Sequence, residues 1–264
     1  MKQIGLVLII VLIIGAVGCN TFTITGSGGS AITGSGNLAT QEMDYSDFTR
    51  IDVSNAFRVT ITESDSFLVS ITLDDNIFEY LDMKQAGDTL YIGLAPNNSY
   101  RNTTLRATVN MPELNVVELS GASRGDVNGF SSSDSLTLGA SGASSFRIDD
   151  MDAGDTKLKI SGASKVSGSI YMADGVFDIS GASTVELEGS AYDVSMNVSG
   201  AGSAKLANFV IANADIELSG ASDAKVNVSG RLDIDASGAS KLSYSGNPTL
   251  GRVSISGFSS LSQD

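Results

Sequence analysis

The triplet Ser-Gly-Ala begins at Ser120, Ser141, Ser161, Ser180, Ser199, Ser219 and Ser237, and an eighth copy reads Ser256-Gly257-Phe258. The intervals are 21, 20, 19, 19, 20, 18 and 19 residues. This fixed period constrains the chain more than any local motif. A unit of that size cannot bury an apolar face alone, so successive units must stack and share one core.

Aligning the copies on the serine resolves the unit. Three and one places before it stand Val117/Leu119, Leu138/Ala140, Leu158/Ile160, Phe177/Ile179, Met196/Val198, Ile216/Leu218, Ile234/Ala236 and Val253/Ile255. The residue between each pair is mostly polar: Glu118, Lys159, Asp178, Asn197, Glu217, Asp235. Period-two alternation of this kind marks a strand with one wet face. The apolar pair returns five and seven places after the serine, as Phe146/Ile148, Val185/Leu187, Ala204/Leu206, Ala224/Val226 and Leu242/Tyr244. Each unit therefore holds two strands joined by a Ser-Gly-Ala-Ser corner, followed by a looser segment that completes the turn. Stacked ~4.8 Å apart, such units form an all-β, parallel β-solenoid. Leucine-rich repeats have a similar period, but their leucine and asparagine spacing is absent.

The corner glycine is expected at positive φ, which glycine adopts freely. The alanine after it (Ala122, Ala143, Ala163, Ala182, Ala201, Ala221, Ala239) is expected to point into a tight corner as a ladder of its own. Ile51-Asp-Val53-Ser54-Asn55-Ala56, with Val59 and Ile61 behind it, fits the same template with asparagine in the glycine place. Asparagine tolerates the left-handed region best among the other residues, so the first coil starts here.

The chain begins with an address. Met1-Lys2-Gln3 precedes the apolar run Ile4 to Val17, then Gly18 and Cys19, the shape of a secretory signal over residues 1–18. Cys19, the only cysteine, follows a small residue as in a bacterial lipobox, which it resembles although Ala16 stands where leucine is usual. Cys19 is thus the expected lipid attachment point, and the membrane is the partner at this end. Residues 19–44, rich in Ser, Gly and Thr, read as a flexible tether. An intramolecular disulfide is impossible with one cysteine.

The domain is expected over 45–264: a less regular part over 45–114, then the Ser-Gly-Ala repeats over 115–264. Within the former, residues 67–73, 90–92 and 105–109 read as strands and 75–81 as a helical turn capped near Asp74 or Asp75. This part should cap the N-terminal end of the stack, which would otherwise expose strand edges and core. At the other end, Phe258 replaces the corner alanine and is expected to cover the open core.

Phe48-Thr-Arg-Ile-Asp-Val-Ser54 leading into Val59-Thr-Ile61, then Asp88-Thr-Leu-Tyr-Ile92, then Met111-Pro-Glu-Leu-Asn-Val-Val-Glu-Leu-Ser-Gly-Ala122 resemble the family called putative auto-transporter adhesin, head GIN domain. The resemblance covers about residues 45–260 and implies a right-handed parallel β-helix exported to the cell envelope. It brings no established activity, cofactor or catalytic residue.

The residues themselves restrict chemistry. Histidine is absent, so His-based triads and zinc sites are excluded. The single thiol is assigned to the lipid, and the serines recur in one column without a base partner. No catalytic residue and no cofactor are expected. Carboxylates remain: Asp149, Asp150, Asp152 and Asp155 crowd one segment between coils, where calcium is conceivable but a solvated turn fits better. With Asp+Glu 30 against Lys+Arg 16 the net charge is −14, which repels phosphate backbones and excludes a nucleic-acid partner. Arg124, Lys165 and Lys241 recur at one outward offset of the second strand, and Arg147, Lys205 and Lys225 at another. They read as protection of the face, with a binding stripe as the alternative.

Three functional readings follow. One is a non-enzymatic envelope lipoprotein presenting a rigid β-helix to an extended glycan or protein surface, or to another copy of itself. A second is a β-helical polysaccharide-active enzyme, which needs an outward cleft with paired carboxylates. A third is an envelope sensor or signalling module.

Overall fold

The computed structural model describes residues 31–264; the signal segment, Cys19 and the expected tether up to residue 30 lie outside them. The repeats stack as coils of a β-solenoid of about seven turns. On its first side, Arg50–Val53, Val116–Leu119, Leu136–Ala140, Thr156–Ile160 and Gly175–Ile179 pair in parallel, and the ladder continues through 194–198 and 214–218 to Arg231–Ala236 and Thr249–Ile255. On the second side, Arg58–Glu63, Arg124–Asn128, Ser145–Ala153 and Lys165–Met172 lead through 184–187 and 203–206 to Asp223–Val228, Lys241–Ser245 and Ser260–Gln263.

The segment expected to be loose is itself a third side. Ile170 pairs with Gly189 in unbroken register, and it pairs with Met151, and Ile211 with Ala191 and Val228, after register shifts between the second side and the third. Its apolar residues are few and irregularly spaced, so the repeat columns do not advertise it. They are nevertheless buried: Met151, Ile170, Phe209, Ile211 and Val228 join the aligned columns in one core. The Phe177 ring from the first side meets Phe209 from the third at 6.3 Å between centroids.

The corners obey the glycine expectation and contradict the alanine one. Gly121, Gly142, Gly162, Gly181, Gly200, Gly220 and Gly238 have φ between +72° and +78°, and Asn55 has +59°. A second constraint acts on the same glycines. A Cβ on Gly162 would lie 2.4 Å from the Gly142 carbonyl oxygen of the coil before it. That carbonyl accepts a 2.7 Å hydrogen bond from the Ala163 N–H, and the pattern repeats corner by corner.

The alanines are exposed. The inward residue is the fourth of the corner: Ser123, Ser144, Ser164, Ser183, Ser222 and Ser240 are all at most 2 % exposed, and Phe57 fills the place in the first coil. The reason is the turn itself. Its two central residues, Gly and Ala, protrude, while the flanking residues rejoin the strands. The buried hydroxyls of Ser123 and Ser144 donate to the carbonyls three residues earlier, at 2.8 and 2.9 Å. Phe258, in the alanine column, is therefore 92 % exposed and does not cover the core.

The N-terminal cap is antiparallel. Residues after the first coil extend the stack backwards: Thr89–Leu94 adds to Arg50–Val53 and Leu105–Met111 to Arg58–Glu63. Leu81–Ala86 and Leu68–Asp74 then close these two ladders as antiparallel partners. The tether expectation fails over 31–44. Leu38–Met43 pairs antiparallel with Leu68–Asp74, and Ile32–Thr33 pairs with Tyr100–Arg101. The Asp74 carboxylate, 1 % exposed, accepts the N–H groups of Gly36 (2.7 Å) and Thr104 (2.6 Å) and fixes both loops. It is thereby unavailable to cap the 3₁₀ turn Asp75–Tyr80, which has no side-chain cap. Among the described residues no helix is long and apolar enough to cross a membrane.

Candidate binding surface

Because inward and outward residues alternate, each side presents straight columns of side chains with one residue per coil. On the first side, Asp52, Glu118, Gly139, Lys159, Asp178, Asn197, Glu217 and Asp235 occupy one such column. Burial pushes the Asp52 carboxyl up. Burial also raises Glu118, with Lys159 working against it and the Asp52 charge adding to it. Gly139 makes this arrangement possible: a Cβ there would fall on the Glu118 carboxylate, which lies across it. The two raised carboxyls stand side by side on a flat ladder, whereas paired acid and base catalysis needs groups on opposite flanks of a substrate.

A second column marks the corner between the third and first sides. Asp155, Asp174, Asp193 and Asn213 each stand six residues before a corner serine. The Asp193 N–H donates to Asp174 Oδ1 (3.0 Å), Asn213 Nδ2 to Asp193 Oδ1 (2.8 Å), and the Arg231 N–H to Asn213 Oδ1 (3.0 Å). These side chains stitch coil to coil. The recurrence was legible in the alignment but is absent from the apolar columns used to find the strands.

Beside this column runs a shallow groove of about 440 Å³, lined by Asp193, Asn213, Asp215, Arg231 and Asp233 among others. Arg231 grips Asp233 through both ends of its fork, at 2.6 and 2.8 Å. That hydrogen bonding, with the Arg252 backbone N–H second, holds the Asp233 carboxyl at about 2. Asp215 pairs with Arg252 at 3.2 Å. A carboxyl held at about 2 is ionised near neutrality and is unsuited to donate a proton.

The four crowded aspartates do not form a loop cage. Asp149, Asp150 and Asp152 lie on the strand Ser145–Ala153, and only Asp155 is in the following turn. Asp149 pairs with Arg147 at 3.1 Å, Asp150 sits at φ +55° where the register shifts, and Asp152 accepts from Ser131 Oγ at 3.4 Å. Among the described residues no three carboxylates converge to hold a metal ion.

The basic residues fall on outward columns of the second side. In the first, Arg106, Arg58 and Arg124 are adjacent in register, followed by Ser145 and Lys165. In the second, Arg147 neighbours Asp126 and Ser167. Arg58 stands four residues after Ser54, the offset of Arg124 from Ser120, so the degenerate first coil already places it. Arg106 belongs to the cap, which has no corner triplet to align, and emerges only from the pairing.

Residues 47–248 match the family described as putative auto-transporter adhesin, head GIN domain. The chain belongs to this family. Solved structures with the same fold include a putative adhesin from Parabacteroides merdae ATCC 43184, at 17 % identity and TM-score 0.82, covering 89 % of this chain and 99 % of that one. A putative adhesin from Parabacteroides distasonis ATCC 8503 superposes with TM-score 0.83 at 18 % identity, covering 89 % and 100 %. A putative lipid binding protein from the same organism gives TM-score 0.72 at 23 % identity, covering 89 % and 99 %. No curated protein matches the chain at a significant level.

Proposed function

We propose that this adhesin-family chain is an exported, lipid-anchored envelope protein whose rigid solenoid makes adhesive, non-catalytic contacts through its flat outer sides. The observation that carries the reading is the column geometry. Straight rows of polar side chains offer an extended contact surface, and in the groove beside Arg231 two of the three carboxylates, Asp215 and Asp233, are held by arginines while Asp193 accepts from Asn213. Support for export and anchoring comes from the apolar run Ile4 to Val17 and Cys19 behind Gly18. A rod fixed at one end presents its sides to neighbouring polymers, proteins or further copies of itself.

Metabolic labelling of the full chain with a fatty-acid probe, in wild type and Cys19→Ala, tests the anchor. Label should appear in the wild type and vanish in the variant, which should leave the membrane fraction or persist as precursor. Unchanged labelling would remove the lipid assignment. Attachment of expressing cells to glycan- and matrix-coated surfaces tests the adhesive role. Turnover of a polysaccharide, abolished by changing Asp or Glu residues on one side, would replace adhesion with catalysis.

A further inference from the structure

On the second side, five successive strands each contribute one cation to a row two columns wide: Arg106, Arg58, Arg124 and Lys165 share one column, in which Ser145 stands between the last two, and Arg147 stands two residues along from Ser145 in the neighbouring column. At ~4.8 Å per rung the row runs for about 19 Å along the rod. All five side chains are exposed. Four of them line one shallow groove of about 290 Å³, in which Asp126 is the only carboxylate.

Three features separate this row from ordinary surface charge. The chain is acidic overall, at net −14, yet five of its 16 basic residues gather here. Arg106, Arg58 and Arg124 lie directly opposite one another in register, an arrangement that like-charge repulsion makes unfavourable. Among the described residues none of these three makes an ion pair, whereas Arg147 and Lys165 pair with Asp149 and Glu186, and Lys225, Arg231 and Arg252 further along the rod each hold a carboxylate. Folding gains nothing from stacking three unpaired guanidinium groups. Edge protection does not account for them either, because all three stand on interior strands of the ladder.

Resting on the adhesive reading above, we infer that this row is the docking site for a linear acidic polysaccharide, with its carboxylate or sulfate groups on successive rungs. Arginine forks match planar and tetrahedral oxyanions bidentately, which a point charge does not. Thr108, Thr60, Ser145 and Ser167 stand beside the cations on the same rungs and supply hydroxyls for sugar hydroxyl groups. A polynucleotide is disfavoured: its dense charge would run past the short row onto Glu186 and Asp223 of the following coils.

The test uses full-length protein in mild detergent, with immobilised polygalacturonate (carboxylate), heparin (sulfate), uncharged dextran and single-stranded polyadenylate. Binding to at least one acidic polysaccharide, weakening as salt rises, is expected, with none to dextran. Arg58→Gln/Arg124→Gln should weaken it by roughly ten- to a hundredfold, at about three- to tenfold per guanidinium. Lys205→Gln/Lys241→Gln, on the same side but outside the row, should change it less than about twofold. The arginine variant should also unfold no sooner than wild type, since a repulsion is removed, so lost binding cannot be ascribed to misfolding. Absence of salt-sensitive binding to both polysaccharides, equal loss in both double variants, or equal binding to polyadenylate would overturn the inference. None of those results would touch the fatty-acid labelling or cell-attachment outcome that tests the adhesive reading.

Discussion

Replacing Gly162 by alanine separates the two demands made on a corner glycine. Gly162 has φ +74°, and a side chain in the left-handed region costs about 1–2 kcal/mol. The added Cβ would also lie 2.4 Å from the Gly142 carbonyl oxygen and 2.9 Å from its nitrogen. Relieving that clash must displace the carbonyl that accepts the Ala163 N–H, with loss of about 0.5–1.5 kcal/mol of hydrogen bonding. The expected destabilisation is therefore about 1.5–3.5 kcal/mol. Gly87 is the internal reference: φ is +61° but no atom lies within 4 Å of the added Cβ. Gly87→Ala should cost only the conformational part, about 1–2 kcal/mol. Urea unfolding of both variants, with the slope checked for constancy, measures the difference. Equal destabilisation, or a smaller effect at Gly162, would refute the claim that stacked corners touch backbone to backbone.

Three further outcomes follow from burial and charge. Ala163→Leu, on an exposed corner, should shift stability by less than about 0.5 kcal/mol, while Phe177→Ala in the core should cost about 3–5 kcal/mol by the same urea assay. Ser164→Ala should be neutral or stabilising because its buried hydroxyl has no partner, whereas Ser144→Ala should cost about 1 kcal/mol for a lost 2.9 Å hydrogen bond. In a carboxyl NMR titration Asp233 should protonate at about 2, and Arg231→Gln should move it back toward the ordinary range. Since its folded value is depressed, its contribution is present above the ordinary carboxylate range and is lost as pH falls toward 2.

The stack was legible because its cause is periodic. Val117, Leu138, Leu158, Phe177 and their equivalents must meet in one core, and the alternation states which side they face. Gly162 and Asn55 were legible for a related reason, since positive φ leaves few residue choices. The alanine column was misread because small size fits two situations, a crowded interior and an exposed tight turn. The serine at the fourth corner place looked polar and proved buried, its hydroxyl satisfied within the turn at Ser123 and Ser144. Composition also misled over 31–44, where a Ser-, Gly- and Thr-rich stretch pairs with an open strand supplied by distant residues. The cation row was half visible. Offsets within repeats gave Arg124, Arg147 and Lys165, but Arg106 joins them only through a cap that breaks the period.

The most direct test of the stacking is a set of spin-label distances along the outward column of the first side, in a Cys19→Ala background. Asp52 and Asp235 are separated by seven successive pairings and Lys159 and Asp235 by four. At ~4.8 Å per coil, labels introduced as Asp52→Cys/Asp235→Cys should lie about 34 Å apart, and Lys159→Cys/Asp235→Cys about 19 Å. Distances that grow in proportion to the number of coils are the predicted result; distances that fail to grow with coil number would contradict the solenoid and every surface built on it.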